Sequence, residues 1–341
     1  MAYHPEDLRP RCRSSLFYTV SRPRIILTAL LLSLLFAAAC KKDLIRPRST
    51  TRLASHTGNR LNSILFVNDT LGFVAGGSRF AEADILRTTD GGYTWSLYVS
   101  PDAHKELFGI TLSPSGAVYM IGFEGNLLRS YDGGQNWLRS QLRYEPYKAI
   151  AFSDAEHAQC AGGISFLRGD AMWIDSAGNV SAHDSLGYEL NDIVIRPDGV
   201  GYRCGYGAME YTSDGGRSWQ WSEIRNDNFT ALDVLNAQTA YACGAEGSIC
   251  VTHNGGRDWQ TLRNGNDLTH AKYRLNDLVF VSADHGYAVG ERGKVIYTDD
   301  GGRHWSELES FTDEHLHGIA RCPNGDLIVC GEGGALWRIV R

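Results

Sequence analysis

The stretch Thr88-Thr89-Asp90-Gly91-Gly92-Tyr93-Thr94-Trp95 returns at Ser130 to Trp137, Thr212 to Trp219, Thr252 to Trp259 and Thr298 to Trp305. The shared pattern is Ser/Thr-x-Asp-Gly-Gly-x-x-Trp, with Asn254 replacing the aspartate once. The third positions are 90, 132, 214, 254 and 300, so the steps are 42, 82, 40 and 46. A step of 82 is two units of about 41, which implies a worn copy between them. Asp175-Ser176-Ala177-Gly178-Asn179 sits where that copy belongs. A period of roughly 40 to 50 residues marks a propeller or an array.

Each phrase ends a longer unit: Leu-x-x-Ile-x-Phe, a turn, Gly-Tyr-x-x-Gly, a second turn, a β-rich stretch, then the phrase. First strands start at Leu61, Leu107, Tyr147, Leu190, Phe229, Leu275 and Leu316. Second strands end at Gly76, Gly122, Ala161, Gly205, Gly244, Gly290 and Gly331. Short strands punctuated by Gly-rich turns are the all-β signal. Seven such units predict an all-β, seven-bladed β-propeller of four-stranded blades over residues 50–341. The last unit stops after its third strand, so a segment near Thr50 to Ser55 is expected to close blade seven and protect its edge.

The phrase reads as structural. An aspartate can accept backbone N–H groups across its own turn, and glycine takes positive φ freely. The tryptophan is an apolar anchor that can wedge between neighbouring blades. This assigns structural roles to Asp90, Trp95, Asp132, Trp137, Asp214, Trp219, Asn254, Trp259, Asp300 and Trp305. Five scattered copies cannot share one catalytic site. The phrase resembles the Asp-box, or BNR repeat, of sialidases, some glycan hydrolases and sorting receptors. The fuller unit over residues 61–341 resembles the photosystem II stability/assembly factor propeller family. Members of that family help to assemble a photosynthetic membrane complex and include lipoproteins. The resemblance therefore implies a binding or assembly scaffold.

The N-terminus reads as a targeting segment. Arg22 and Arg24 precede an apolar run from Ile25 to Ala39, which ends at Cys40. That run suits a signal-peptide core and is short for a membrane span. Leu35 to Cys40 resembles a bacterial lipoprotein signal, although Ala37 stands where that family usually has Leu. The expectation is a signal peptide over 1–39, lipidation at Cys40 and a tether over 40–49. That places the protein on the outer membrane, on its periplasmic or surface side. A plain secretory signal is the alternative. The formal charge is −6, and no Lys/Arg block occurs after residue 60. Nucleic-acid binding needs a basic footprint, so that class is excluded.

Strand direction alternates within a blade, so the phrases share one face and the opposite face is free of them. On that box-free face, the residue after each first-strand start is expected at the channel mouth: Asn62, Phe108, Lys148, Asn191, Thr230, Asn276 and His317. The turns between second and third strands add Glu124, Tyr206, Glu246, Glu291, Arg292 and Glu332. This rim is either a set of solvated turns or a platform for a partner. His56, His104, His183, His270 and His315 fall in connections on the same face. They lack fixed ligand spacing, and no metal or cofactor is assigned. Cys160, Cys204, Cys243 and Cys330 are assigned to one core position beside Ala75, Ile121 and Val289. With Cys250 and Cys322 they are expected as mostly free, buried thiols.

The favoured reading is a membrane-tethered extracytoplasmic scaffold. It would bind an unknown protein or glycan at the membrane surface through the box-free face, and no catalytic residue is assigned. The alternative is a glycan-active hydrolase of sialidase or endoglucanase type. Arg60, Arg274 and Arg292, with Tyr188-Glu189, are the residues it would have to use.

Overall fold

The computed structural model describes residues 44–99, 105–224, 227–267 and 271–340. The expected signal segment, Cys40, His104 and His270 lie outside the described residues. Seven antiparallel sheets follow one another along the chain. Six have four strands in sequence order, at 60–99, 107–141, 147–186, 190–221, 229–263 and 275–308. The seventh, at 316–340, has three strands of its own. Its outer strand is Ser49–Arg52, antiparallel to Leu336–Val340. Leu44–Ile45 adds a parallel fifth strand to the edge of blade six.

The second strands are the heart of each blade. Val118–Gly122, Gly201–Gly205, Ala240–Gly244, Gly286–Gly290 and Leu327–Gly331 are buried at every position. First strands mix buried and half-buried positions because one side faces the central channel. All seven carry a register shift at one place, between Leu61 and Ser63 in blade one and between Leu316 and Gly318 in blade seven. The skipped residue is the bulged one. A bulge leaves one residue unpaired and re-aims its side chain. It also explains the glycine that ends the second strand. A Cβ on Gly76 would collide with the Arg60 carbonyl, and one on Gly122 with the Glu106 carbonyl.

In blade three this corrects the repeat alignment. Gly162, not Ala161, pairs with Tyr147, and the strand continues to Ile164. Cys160 therefore faces the other side of its sheet from Cys204, Cys243 and Cys330, and Ala161 is their equivalent. All six cysteines of the described residues are buried and free.

The repeated turns are hydrogen-bonded alike. Thr88 Oγ1 donates to Asp90 Oδ1 at 2.8 Å and accepts the Gly92 N–H at 2.9 Å. Asp90 in turn accepts the N–H groups of Tyr93 and Thr94. Asp132, Asp214, Asn254 and Asp300 repeat the pattern. The second glycine has φ of +81° at Gly134, and a Cβ there would strike Phe73 of the preceding blade. Each tryptophan packs backwards as well. Trp137 meets Phe73 edge-on at 5.9 Å, and Trp259 meets Tyr202 at 5.9 Å. Such pairs contribute about 0.5–1.5 kcal/mol beyond area burial. The worn turn of blade three keeps its aspartate, with the Asn179 N–H on Asp175 Oδ1 at 2.7 Å. In place of the tryptophan wedge, Tyr119 and Tyr131 of blade two donate to the Ser176 carbonyl at 2.7 and 3.1 Å.

Candidate functional site

The seven bulges converge on the central channel. Asn62, Phe108, Lys148, Asn191, Thr230, Asn276 and His317 all line a cavity of about 660 Å³. Four of them work mainly as latches between blades. The side-chain N–H or O–H groups of Asn62, Asn191, Thr230 and Asn276 donate to the carbonyls of Leu107, Phe229, Leu275 and Leu316 at 2.7–2.8 Å. Each acceptor is the residue before the next blade's bulge. Lys148 is tied to Glu189 and donates to Asn191 Oδ1 at 2.6 Å. Burial lowers its pKa, and Glu189 only partly offsets this. His317 contacts Glu332 at 3.1 Å, and Arg60 pairs with the same carboxylate. Burial and the Arg60 charge push the His317 pKa down to about 4, so its ring is neutral at pH 7.

The outer rim is also largely paired. Glu124 meets Lys105 at 3.0 Å, Glu246 meets Lys272 at 3.0 Å, and Glu291 accepts the Arg274 N–H at 3.3 Å. Glu124 and Arg292 hold left-handed backbone, with φ of 52° and 55°. Gly333 fills the matching position in blade seven. A non-glycine residue held there carries local strain.

A second set of side chains on this face, of which the sequence reading named only Tyr206, is apolar. The turns of blades one, three and four display Phe80, Phe166, Leu167 and Tyr206, and the connection into blade three displays Tyr144. Phe80, Leu167 and Tyr144 are 69%, 74% and 75% exposed. Phe80 packs on Phe123 at 5.2 Å, beneath the Lys105 ammonium, and Phe166 packs on Tyr206 at 4.8 Å. Ser165 and Phe166 have φ of 64° and 61°. Tight hairpins usually fill such positions with Asn-Gly. Apolar residues at turn tips, where other units have glycine, were the available signal.

Deeper in the channel, blades four to six carry three carboxylates. Asp192, Asp233 and Asp277 accept the N–H groups of Leu232, Phe280 and Ile319, each on the following blade, at 2.8, 2.5 and 2.9 Å. Asp192 and Asp277 line the cavity itself. Burial outweighs these hydrogen bonds. It pushes Asp192 and Asp233 up to about 6 and Asp277 to about 8, with the neighbouring carboxylates adding to the rise at Asp192 and Asp277.

The residues needed by a hydrolase do not converge. Tyr188 donates to Glu210 at 2.9 Å rather than joining Glu189, which holds Lys148. Arg60 is committed to Glu332, and Arg274 donates to Asn276. His183 sits within the outer strand of blade three rather than in a connection. His315 accepts the Arg292 N–H at 3.3 Å. Among the described residues, no three His, Cys, Asp or Glu side chains could hold a metal ion. No described helix is long and apolar enough to cross a membrane.

No family profile matches the chain. A curated relative, the photosystem II assembly lipoprotein Ycf48 of Synechococcus sp. (strain CC9902), is 26% identical over 250 residues, 58% of this chain and 74% of the relative. A solved structure described as YCF48 bound to D1 peptide superposes with a TM-score of 0.67 at 16% identity, covering 88% of this chain and 97% of that one. YCF48 from Cyanidioschyzon merolae gives 0.66 at 18% identity, covering 86% and 99%. The structures speak for the fold, and the curated relative adds the assembly-factor likeness: the chain is a seven-bladed propeller that resembles the photosystem II assembly-factor family.

Proposed function

We propose that this propeller is a membrane-tethered assembly or binding scaffold that receives a polypeptide partner on its box-free face. The observation that carries the reading is the strained Ser165-Phe166 turn, which holds Phe166 and Leu167 out in solvent with Phe166 packed on exposed Tyr206 at 4.8 Å. Monomeric proteins seldom keep contiguous apolar patches exposed without a use for them. Likeness to a propeller described as bound to a D1 peptide supports a protein over a glycan partner. The tether would be a lipid on Cys40, holding the protein at the outer membrane. The Ycf48 relative is named a lipoprotein, which supports a membrane-associated location.

The test is co-purification from detergent-solubilised envelope. Wild type and a Tyr131→Ala variant on the opposite face should retain the same partner, and a Phe80→Ala/Phe166→Ala/Leu167→Ala variant should lose it. Equal recovery by the triple variant would refute the reading. Radiolabelled palmitate should enter wild type and not Cys40→Ala.

A further inference from the structure

We propose that the channel beneath this face is a receptor for an organic cation, an alkylammonium or guanidinium group that ends between Asp192 and Asp277. The entry side rests on the box-free reading above; the pocket itself rests on its walls. At the level just below the bulges, the seven blades present Ser63, Gly109, Ala149, Asp192, Ala231, Asp277 and Gly318. Five are small and neutral. Charge at this level therefore lies only on the side of blades four and six, where Asp192 and Asp277 line the cavity.

Neither carboxylate has an ion-pair partner among the described residues, whereas Lys148 and Arg60 at the mouth are already paired. The described protein thus spends its mouth cations on rim carboxylates and leaves the deep ones without a counter-ion. Asp192 and Asp277 each accept backbone N–H groups, one on each oxygen. A carboxylate has about four lone-pair sites, so acceptor capacity remains on both. Ile110, Ile150, Ile193 and Leu232 supply apolar wall, which suits an alkyl stem. A bare metal ion suits the site poorly. Hard cations gather six or more oxygens, and no set of three donor side chains converges among the described residues. Two sources share the required chemistry: a free diamine, and a Lys or Arg side chain of a docked partner.

Calorimetry on the full protein at pH 7 separates them, with cadaverine and N-acetyl-arginine amide as probes. The expected result is saturable binding of at least one probe. Its heat should vary with buffer ionisation enthalpy, because the incoming cation drives a proton from Asp277 to the buffer. N-acetyl-lysine amide is the third probe: binding of cadaverine but neither blocked residue points to a free diamine, and binding of either blocked residue assigns the pocket to a partner's side chain. Asp277→Asn should weaken binding about tenfold or more and abolish proton release. Ser63→Arg, which brings a tethered guanidinium into the hollow, should block binding. Saturable binding to the wild-type protein is the primary readout and stands even if a variant folds poorly. No heat from any probe at millimolar concentration, or binding that Asp277→Asn and Ser63→Arg both leave unchanged, would overturn the proposal. Neither result bears on partner capture by the apolar turns, which is read separately.

Discussion

Asp277 on blade six accepts the Ile319 N–H of blade seven through Oδ2 at 2.9 Å, and burial keeps that carboxyl protonated to about pH 8. One group thus joins two blades and titrates in the neutral range. A carboxyl whose folded pKa is raised binds more protons folded than unfolded between the two values. Its stabilising effect is complete below the unfolded value of about 4 and is lost as pH rises to about 8. Asp277→Asn should therefore gain thermal stability relative to wild type as pH rises from 5 to 9. Melting curves in both proteins check this, and a constant difference would contradict it.

The turn aspartates behave oppositely. Hydrogen-bond donors hold Asp90, Asp132, Asp214 and Asp300 down to about 2, winning over burial at Asp90 and Asp300. Their contribution is present above the ordinary value and is lost as pH falls from about 4 to about 2. Acid unfolding should steepen in that window, and Asp132→Asn should flatten it. Circular dichroism at graded pH is the measurement.

The two glycines of each phrase should differ in tolerance. Gly133 and Gly134 both have positive φ, but a Cβ on Gly133 has room while one on Gly134 strikes Phe73. Gly133→Ala should cost about 1–2 kcal/mol for the left-handed backbone. Gly134→Ala should cost a further 1–3 kcal/mol or so from overpacking. Urea denaturation of the two variants separates the effects.

Arg203 and Glu210 form a buried bidentate pair at 2.6 and 3.2 Å, with Tyr188 on Glu210 and the Trp219 ring under the guanidinium at 4.6 Å. Removing one partner strands a buried charge. Glu210→Ala should cost about 3–5 kcal/mol, whereas Glu246→Ala, on an exposed pair, should cost less than about 1 kcal/mol.

Much of the fold was legible because a repeat reports its own period: the phrase at Asp90, Asp132 and Asp214 counts blades directly. The step between Leu61 and Asn62, repeated at Leu275 and Asn276, also located the channel mouth. What those side chains do was hidden. Asn62 bonds to a carbonyl 45 residues ahead, on another blade, and no local pattern encodes such a partner. Attention to polar rim residues passed over Phe80 and Phe166, although apolar side chains at turn tips break the repeat as clearly as any charge. Gly162 was misaligned because the worn unit has two glycines in a row and no tryptophan to fix its register. The sequence reading also passed over Asp192 and Asp277, acids in a position otherwise Ser, Gly or Ala. Their burial came only with the closed ring.

Ring closure depends on Ser49–Arg52, whose removal would bare the edge of Leu336–Val340. A chain beginning at Leu53 should melt lower and self-associate more than one beginning at Ser49, because an open strand edge templates pairing. Scanning calorimetry with light scattering checks both effects.

The box-free face is the proposed working surface. The most direct measurement is in-cell photo-crosslinking, with a photoreactive residue at position 166 in one strain and at position 303, on the turn face, in another. A discrete crosslinked protein adduct is expected from position 166 and none from position 303. Adducts from position 303 alone would contradict this placement.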